Sequence, residues 1–288
     1  MKADYIEELA FAKLNLNFKI INKFSNNYHQ IDSYITFLPC IYDHLTVKKS
    51  FENKISISGF FANELKNNGG DTLMKDSIAL LSHLLKMNIK IKVHLKKNIP
   101  LSSGLGGGSA DAAAIIRSII KLYKINNNES LILNNLSKIG ADVPTCFISK
   151  NVKVEGFGNI LKPLKSLNKS LWALLIKPKS NYSTKYIFEN FKDGYAKPSN
   201  FKFTVNNLIK DMNIHNNSLE KTVCKIEKNV ESLISYLSRY KSLTVPRITG
   251  SGSTVFVLFN SKKDLNMYKN NLVLNTKDYW IKSSILNL

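Results

Sequence analysis

The stretch Pro100 to Ala114, PLSSGLGGGSADAAA, constrains this chain more than any other. Gly104, Gly106, Gly107 and Gly108 crowd together, flanked by Ser102, Ser103 and Ser109. Lys90 to Lys96, just before, alternates polar and apolar residues at strand period, and Ala110 to Ile116, just after, is built of strong helix formers. The segment therefore reads as strand, glycine loop, helix. Glycines let backbone N–H groups approach an anion without a Cβ in the way. The helix that follows aims its unpaired N–H groups and positive dipole end at the same place. Ser109 reads as the N-cap, with a hydroxyl that could also meet a phosphate. A plain cap needs one glycine, not four.

Two common phosphate loops are excluded. The GxxxxGK loop requires a lysine after the glycines, and none follows here. The GxGxxG fingerprint needs glycine at position 109, where Ser109 stands, and an acid about twenty residues later at a strand end. Glu129 has nearly that spacing but lies in an Asn-rich loop.

The net charge of +20 raises the question of nucleic acid. Lysine is spread over the whole length, and Arg117, Arg239 and Arg247 are the only arginines. A nucleic-acid reader concentrates its basic residues in a patch and favours arginine. The even spread, with abundant Asn and Ile, reads as compositional bias, so no nucleic-acid partner is expected, although a positive field attracts anionic substrates. Cys40, Cys146 and Cys224 have neither metal nor disulfide spacing, which suits a reducing cytoplasm. No apolar run approaches a membrane span and Met1 to Glu8 resembles no targeting segment, so no membrane partner is expected.

Five further stretches carry chemistry-bearing residues. Leu14, Leu16 and Phe18 alternate with Asn15, Asn17 and Lys19, giving a strand with Lys13 and Asn15 opposite its apolar face. A polar turn over 23–27 leads to Tyr28-His29. Strands follow over 35–47 and 54–58, then a loop over 63–72 and a helix over 73–87. A short helix over 130–138 ends in Gly140-Ala141-Asp142-Val143-Pro144, where Asp142 alone would read as an N-cap. A hairpin at 152–161 and a buried strand at 171–176 precede KPKSNYSTKYIF, which contains Tyr182, Tyr186 and Phe188. A helical stripe runs to about Tyr240, then TGSGSTVF enters a buried strand, and a last strand closes the chain over 281–288.

In this order AKLNL, Tyr28-His29, PLSSGLGGGSADAA, GADVP, KPKSNYST and TGSGSTVF resemble the motifs of the GHMP kinases, which include galactokinase, homoserine kinase and mevalonate kinase. The triple glycine before Ser-Ala-Asp-Ala-Ala, and the Tyr-His pair, resemble most the 4-diphosphocytidyl-2-C-methyl-D-erythritol kinases. The resemblance implies a two-domain α+β fold. Residues 1–165 would form a ribosomal-protein-S5-like N-terminal domain and residues 166–288 a ferredoxin-like C-terminal GHMP domain. It implies ATP-dependent phosphorylation of the 2-hydroxyl of the cytidyl substrate, in the non-mevalonate route to isoprenoid precursors. Asp142 would be the base, or the positioner of the hydroxyl, and Lys13 its catalytic partner. Pro100, Leu101, Ser102, Ser103, Gly104, Leu105, Gly106, Gly107, Gly108, Ser109 and Ala110 would hold the triphosphate of Mg-ATP. Asn15, Tyr28 and His29 would hold the substrate. Phe188, or else Tyr182 or Tyr186, would complete the cytosine site, with core packing the alternative for each. The metal would be held mainly by phosphates, with Ser109 the one protein candidate. A homoserine- or mevalonate-type kinase, or a basic nucleic-acid-binding protein of S5-like fold, are the alternatives. Monomer and homodimer stay open.

Overall fold

The computed structural model describes residues 5–24, 28–126, 128–180, 182–199 and 201–288. Most of the expected polar turn at 23–27, together with Met1 to Asp4 and Asn181, lies outside the described residues.

The first elements are β1 (Tyr5–Asn15), β2 (Lys19–Lys23), β3 (His29–Lys49), β4 (Lys54–Ser58), α1 (Ala62–Asn67), α2 (Thr72–Leu84), β5 (Ile91–Lys96) and α3 (Gly107–Tyr123). Then come α4 (Glu129–Leu133), α5 (Val143–Ile148), β6 (Val152–Gly156), β7 (Ile160–Pro163), β8 (Ser170–Pro178), α6 (Thr184–Glu189) and α7 (Leu208–Ile214). The chain closes with α8 (Glu220–Ile226), α9 (Lys228–Leu237), β9 (Arg247–Ile248), β10 (Val255–Phe259), α10 (Lys262–Asn270) and β11 (Tyr279–Asn287). Strands and helices mix as the α+β expectation requires.

The chain forms two compact units that interleave along the sequence. The first comprises residues 1–12, 41–101 and 106–149, and the second 13–40, 102–105 and 150–288. The 21-residue strand β3 passes from one to the other.

In the first unit β5 runs antiparallel to the end of β3 and parallel to β4. Strand β5 alternates buried Ile91, Val93 and Leu95 with exposed lysines and His94, so one face of it meets the core. Helix α3 packs against α2 and α5. Its Ala110, Ala112, Ala113 and Ala114 are buried with Ile115, Ile116 and Ile119, and small residues let neighbouring helices approach closely. Asp71 caps α2, its side chain accepting from the Met74 N–H at 2.9 Å. The short helix α1 occupies part of the stretch read as loop, because six residues are too few to show a period.

In the second unit β11, β8, β10 and β9 form an antiparallel sheet in that order. Its core includes Leu174, Ile176, Val255 and Val257, covered by Val223, Val230, Leu233 and Leu237 from α8 and α9. The stripe expected to run unbroken to Tyr240 is split at Glu227, whose extended backbone and side chain cap α9. Its apolar period survives the break because both halves face the same sheet.

Candidate active site

The glycine loop starts α3 earlier than its sequence suggests. Gly106, at φ 69°, is the residue before the helix, and the Ala110 N–H donates to the Gly106 carbonyl at 2.8 Å. Ser109 therefore lies inside the first turn and is not the N-cap. A left-handed backbone is inexpensive only for glycine, which is why the start falls at Gly106. The amides of Gly107, Gly108 and Ser109 precede the first possible i→i−4 bond, so the helix itself gives them no acceptor. A methyl built on Gly108 would meet only Leu73 Cδ1, at 3.4 Å. This cradle of backbone N–H groups fits an anionic phosphate.

The first half of the loop, Ser102 to Leu105, belongs to the second unit, with Lys13 and the TGSGST segment. The Lys13 N–H donates to the Leu105 carbonyl at 2.9 Å, and the Thr254 N–H to the Ser103 carbonyl at 3.2 Å. Gly104 has φ 73°, and a Cβ there would fall 2.1 Å from the Thr249 carbonyl oxygen. Lys13 and Asn15 are 4% and 2% exposed, because the end of β1 is covered on both faces. Lys13 Nζ donates to Asn15 Oδ1 at 2.5 Å, and Asn15 Nδ2 to Ser33 Oγ at 2.8 Å. The Asn15 N–H donates to Thr249 Oγ1 at 2.9 Å. A methyl on Gly250, whose φ is 53°, would lie 3.0 Å from Lys13 Nζ, so that position needs glycine. Nothing in the sequence singled out Ser33, whereas Asn217, in a stretch that resembles a weak family helix start, donates to the Ile248 and Gly250 carbonyls and so holds this loop.

Tyr28, His29 and Phe188 also lie in the second unit. The His29 ring is 5.2 Å from Phe188 and 6.0 Å from Phe191. Tyr28 is 58% exposed, with its ring 5.8 Å from Phe157. Phe188 packs one edge on Phe18 of the core and faces His29 with the rest. Tyr182 directs its buried hydroxyl toward Gly252, and Tyr182 and Tyr186 both line a cavity of about 660 Å³ with Lys179 and Glu227. Burial, with Lys23 as a lesser cause, holds the His29 imidazole below its usual pKa. At neutral pH it is uncharged, with one ring nitrogen a donor and the other an acceptor. Flat rings beside such an imidazole suit a nucleobase.

Asp142 lies in the first unit, before Pro144 in the first turn of α5. Its side chain makes no capping bond, so the ordinary reason for an aspartate at a helix start does not account for it. Among the described residues no group of three or more His, Cys, Asp or Glu side chains could hold a metal, and no helix is long and apolar enough to cross a membrane.

The family model for the GHMP kinases N terminal domain matches residues 72–150. A 4-diphosphocytidyl-2-C-methyl-D-erythritol kinase of Wolbachia sp. subsp. Brugia malayi is 31% identical over 277 residues, covering 94% of both chains. One from Lachnoclostridium phytofermentans is 30% identical and covers 90% of both chains. In fold, the chain resembles a crystal structure of 4-(cytidine 5'-diphospho)-2C-methyl-D-erythritol kinase, with TM-score 0.78 at 20% identity over 98% of this chain and 99% of that one. A homoserine kinase from Cytophaga hutchinsonii gives TM-score 0.72 at 16% identity, covering 100% of this chain and 96% of that one. Likeness over 94% of both chains at 31% identity, joined to a glycine loop that opens α3 and a His29 ring beside Phe188, makes the chain a member of the 4-diphosphocytidyl-2-C-methyl-D-erythritol kinase family of GHMP kinases.

Proposed function

We propose that this protein transfers the γ-phosphoryl group of ATP to the 2-hydroxyl of 4-diphosphocytidyl-2-C-methyl-D-erythritol. The observation that carries the choice of acceptor is the ring of His29 beside Phe188, with exposed Tyr28 next to it. GHMP kinases whose acceptors lack a base have no use for that group, although they share the fold. In this reading Tyr28 and Phe188 stack on cytosine, neutral His29 reads its polar edge, and Asn15 contacts the rest of the acceptor.

Pro100 to Ala110 hold the triphosphate, with the amides at the start of α3 on its oxygens. Ser109 is the protein side chain that would help hold a Mg²⁺ ion beside the phosphates, where the ion would offset their charge. Asp142 accepts the hydroxyl proton as the new O–P bond forms, the bond from the γ-phosphorus to the bridging oxygen breaks, and ADP leaves. Lys13 orients the reacting groups and offsets charge on the transferred phosphoryl group. The matched span 72–150, together with a separate antiparallel sheet beyond residue 165, supports a division into an N-terminal domain of residues 1–165 and a C-terminal domain of residues 166–288. Cys40, Cys146 and Cys224 form no disulfide, which supports a cytoplasmic site of action.

The test is ADP release with the cytidyl alcohol, homoserine and mevalonate as acceptors, for the wild type and Asp142→Ala. Turnover confined to the cytidyl alcohol, falling by roughly 10²–10⁴ in the variant, is expected. Turnover with another acceptor refutes the cytosine assignment, and an active Asp142→Ala refutes the base.

A further inference from the structure

Four ionisable side chains lie buried together in the first unit: Asp43 from β3, Asp71 at the start of α2, Lys97 after β5 and Asp111 in α3. Lys97 Nζ donates to Asp43 Oδ2 at 2.6 Å and to Asp111 Oδ2 at 2.5 Å. The other oxygen of Asp43 accepts the Asn98 N–H at 2.5 Å and the Ile99 N–H at 2.8 Å. Asp71 lies near enough to Asp111 for their carboxyls to interact, yet Asp111 Oδ1 has no aligned partner. Three carboxylates and one ammonium cannot all stay charged without water. Burial, then Asp43, pushes the Asp111 carboxyl well above the usual range. Burial alone would lower Lys97, but Asp111 and Asp43 reverse this and hold it protonated.

The position of this cluster has a consequence for the glycine loop. The loop leaves the first unit after Leu101 and returns to it at Gly106. Its entering strand of chain is pinned by Asp43 through the Asn98 and Ile99 amides, and its exit is pinned through Asp111 on α3. Lys97 joins the two. A methyl on Gly107 would fall 3.1 Å from Lys97 Nζ and 2.9 Å from Ile99 Cγ2, so the side chains from the entry fill the space beneath the first residue of α3. A Lys–Asp pair serving only the core could sit anywhere in it, whereas this one spans both feet of the loop.

We propose that Lys97, with Asp43 and Asp111, is a positioning residue for triphosphate binding: a staple that holds the two feet of the glycine loop at the separation its amides need. The proposal rests on the assignment of ATP to Pro100–Ala110. It requires that the loop lose preorganisation, and not merely stability, when the staple is cut.

The discriminating protein is Lys97→Met/Asp111→Leu. It removes the ammonium and its α3 partner together and fills their volume with apolar groups, while Asp43 stays bonded to the two amides but loses its counter-charge, so a lower thermal midpoint is expected beside any change in affinity. Its thermal midpoint and its affinity for MgATP by calorimetry are compared with those of the wild type and of Asp111→Asn, which keeps an oxygen acceptor for Lys97. The proposal expects a folded double variant with MgATP binding weakened about tenfold, Asp111→Asn within about threefold of wild type, and an unchanged KM for the acceptor alcohol. A folded double variant that binds MgATP like the wild type overturns it. If the double variant does not fold, Lys97→Met is measured at a temperature where it is folded, and wild-type affinity there is equally fatal. A wild type that fails to bind MgATP defeats the ATP assignment itself and the staple with it, an outcome separable from the others.

Discussion

Gly104 and Gly108 are both loop glycines, yet the structure gives them opposite fates when substituted by alanine. At Gly104 the backbone is left-handed at φ 73°, which costs a residue with a Cβ about 1–2 kcal/mol. The new methyl would also sit 2.1 Å from the Thr249 oxygen and 2.9 Å from that of Gly252, both backbone atoms, so the contact must open by about 1 Å. Overpacking of that kind adds roughly 1–3 kcal/mol. Gly104→Ala should thus lose about 2–5 kcal/mol and melt several degrees lower. If the loop relieves the strain by moving, a displacement of about 1 Å can cost on the order of 100-fold in turnover. Gly108 has no left-handed backbone, and its methyl would meet only the flexible Leu73 Cδ1 at 3.4 Å. Gly108→Ala should hold or raise the melting point, by roughly 0.4–1 kcal/mol of stability. Its MgATP affinity should nevertheless fall at least about tenfold, because the methyl stands where a phosphate would approach the amides. Thermal melts and MgATP titrations of both proteins are sufficient. A Gly104→Ala protein that melts and binds like wild type would refute the close approach to Thr249. A Gly108→Ala protein with full affinity would refute the phosphate site at the start of α3.

Three other outcomes follow from the same geometry. Phe188→Ala should raise KM for the cytidyl acceptor by roughly 10–100-fold, as loss of a stacking ring does, while KM for ATP stays constant in a two-substrate steady-state assay. Because the folded-state pKa of His29 lies below the ordinary 6.5, its neutral form prevails at pH 7 and is lost as the pH falls through that lowered value. Acceptor KM should therefore climb on the acid side of a pH profile, and His29→Gln, which cannot titrate there, should flatten the climb. Asn217→Ala leaves the buried Ile248 and Gly250 carbonyls and the Leu219 N–H short of a partner, so chemical denaturation should show a loss of about 2–4 kcal/mol.

Local patterns told most of what was local. The strand, the four glycines and the alanine-rich helix were evident from Lys90 to Ala114, because period, backbone freedom and helix propensity act between near neighbours. The order of six short motifs was enough to indicate the family. Tertiary structure decided what depends on distant residues meeting. It set the Phe188 ring against His29 and turned the Tyr182 hydroxyl toward Gly252. It buried Lys13 and Asn15, which an alternating strand leaves on a polar face, because the end of β1 is covered on both sides. It moved the start of α3 from Ser109 to Gly106, where only a left-handed residue could turn the chain. The Asp43–Lys97–Asp111 staple was invisible in a chain with lysine everywhere: Lys96 and Lys97 are adjacent and identical in type, yet the pleat of β5 leaves Lys96 exposed while Lys97, just past its end, is buried. A single sequence records which side chains are available, but burial and partnership arise only when separate segments share a core.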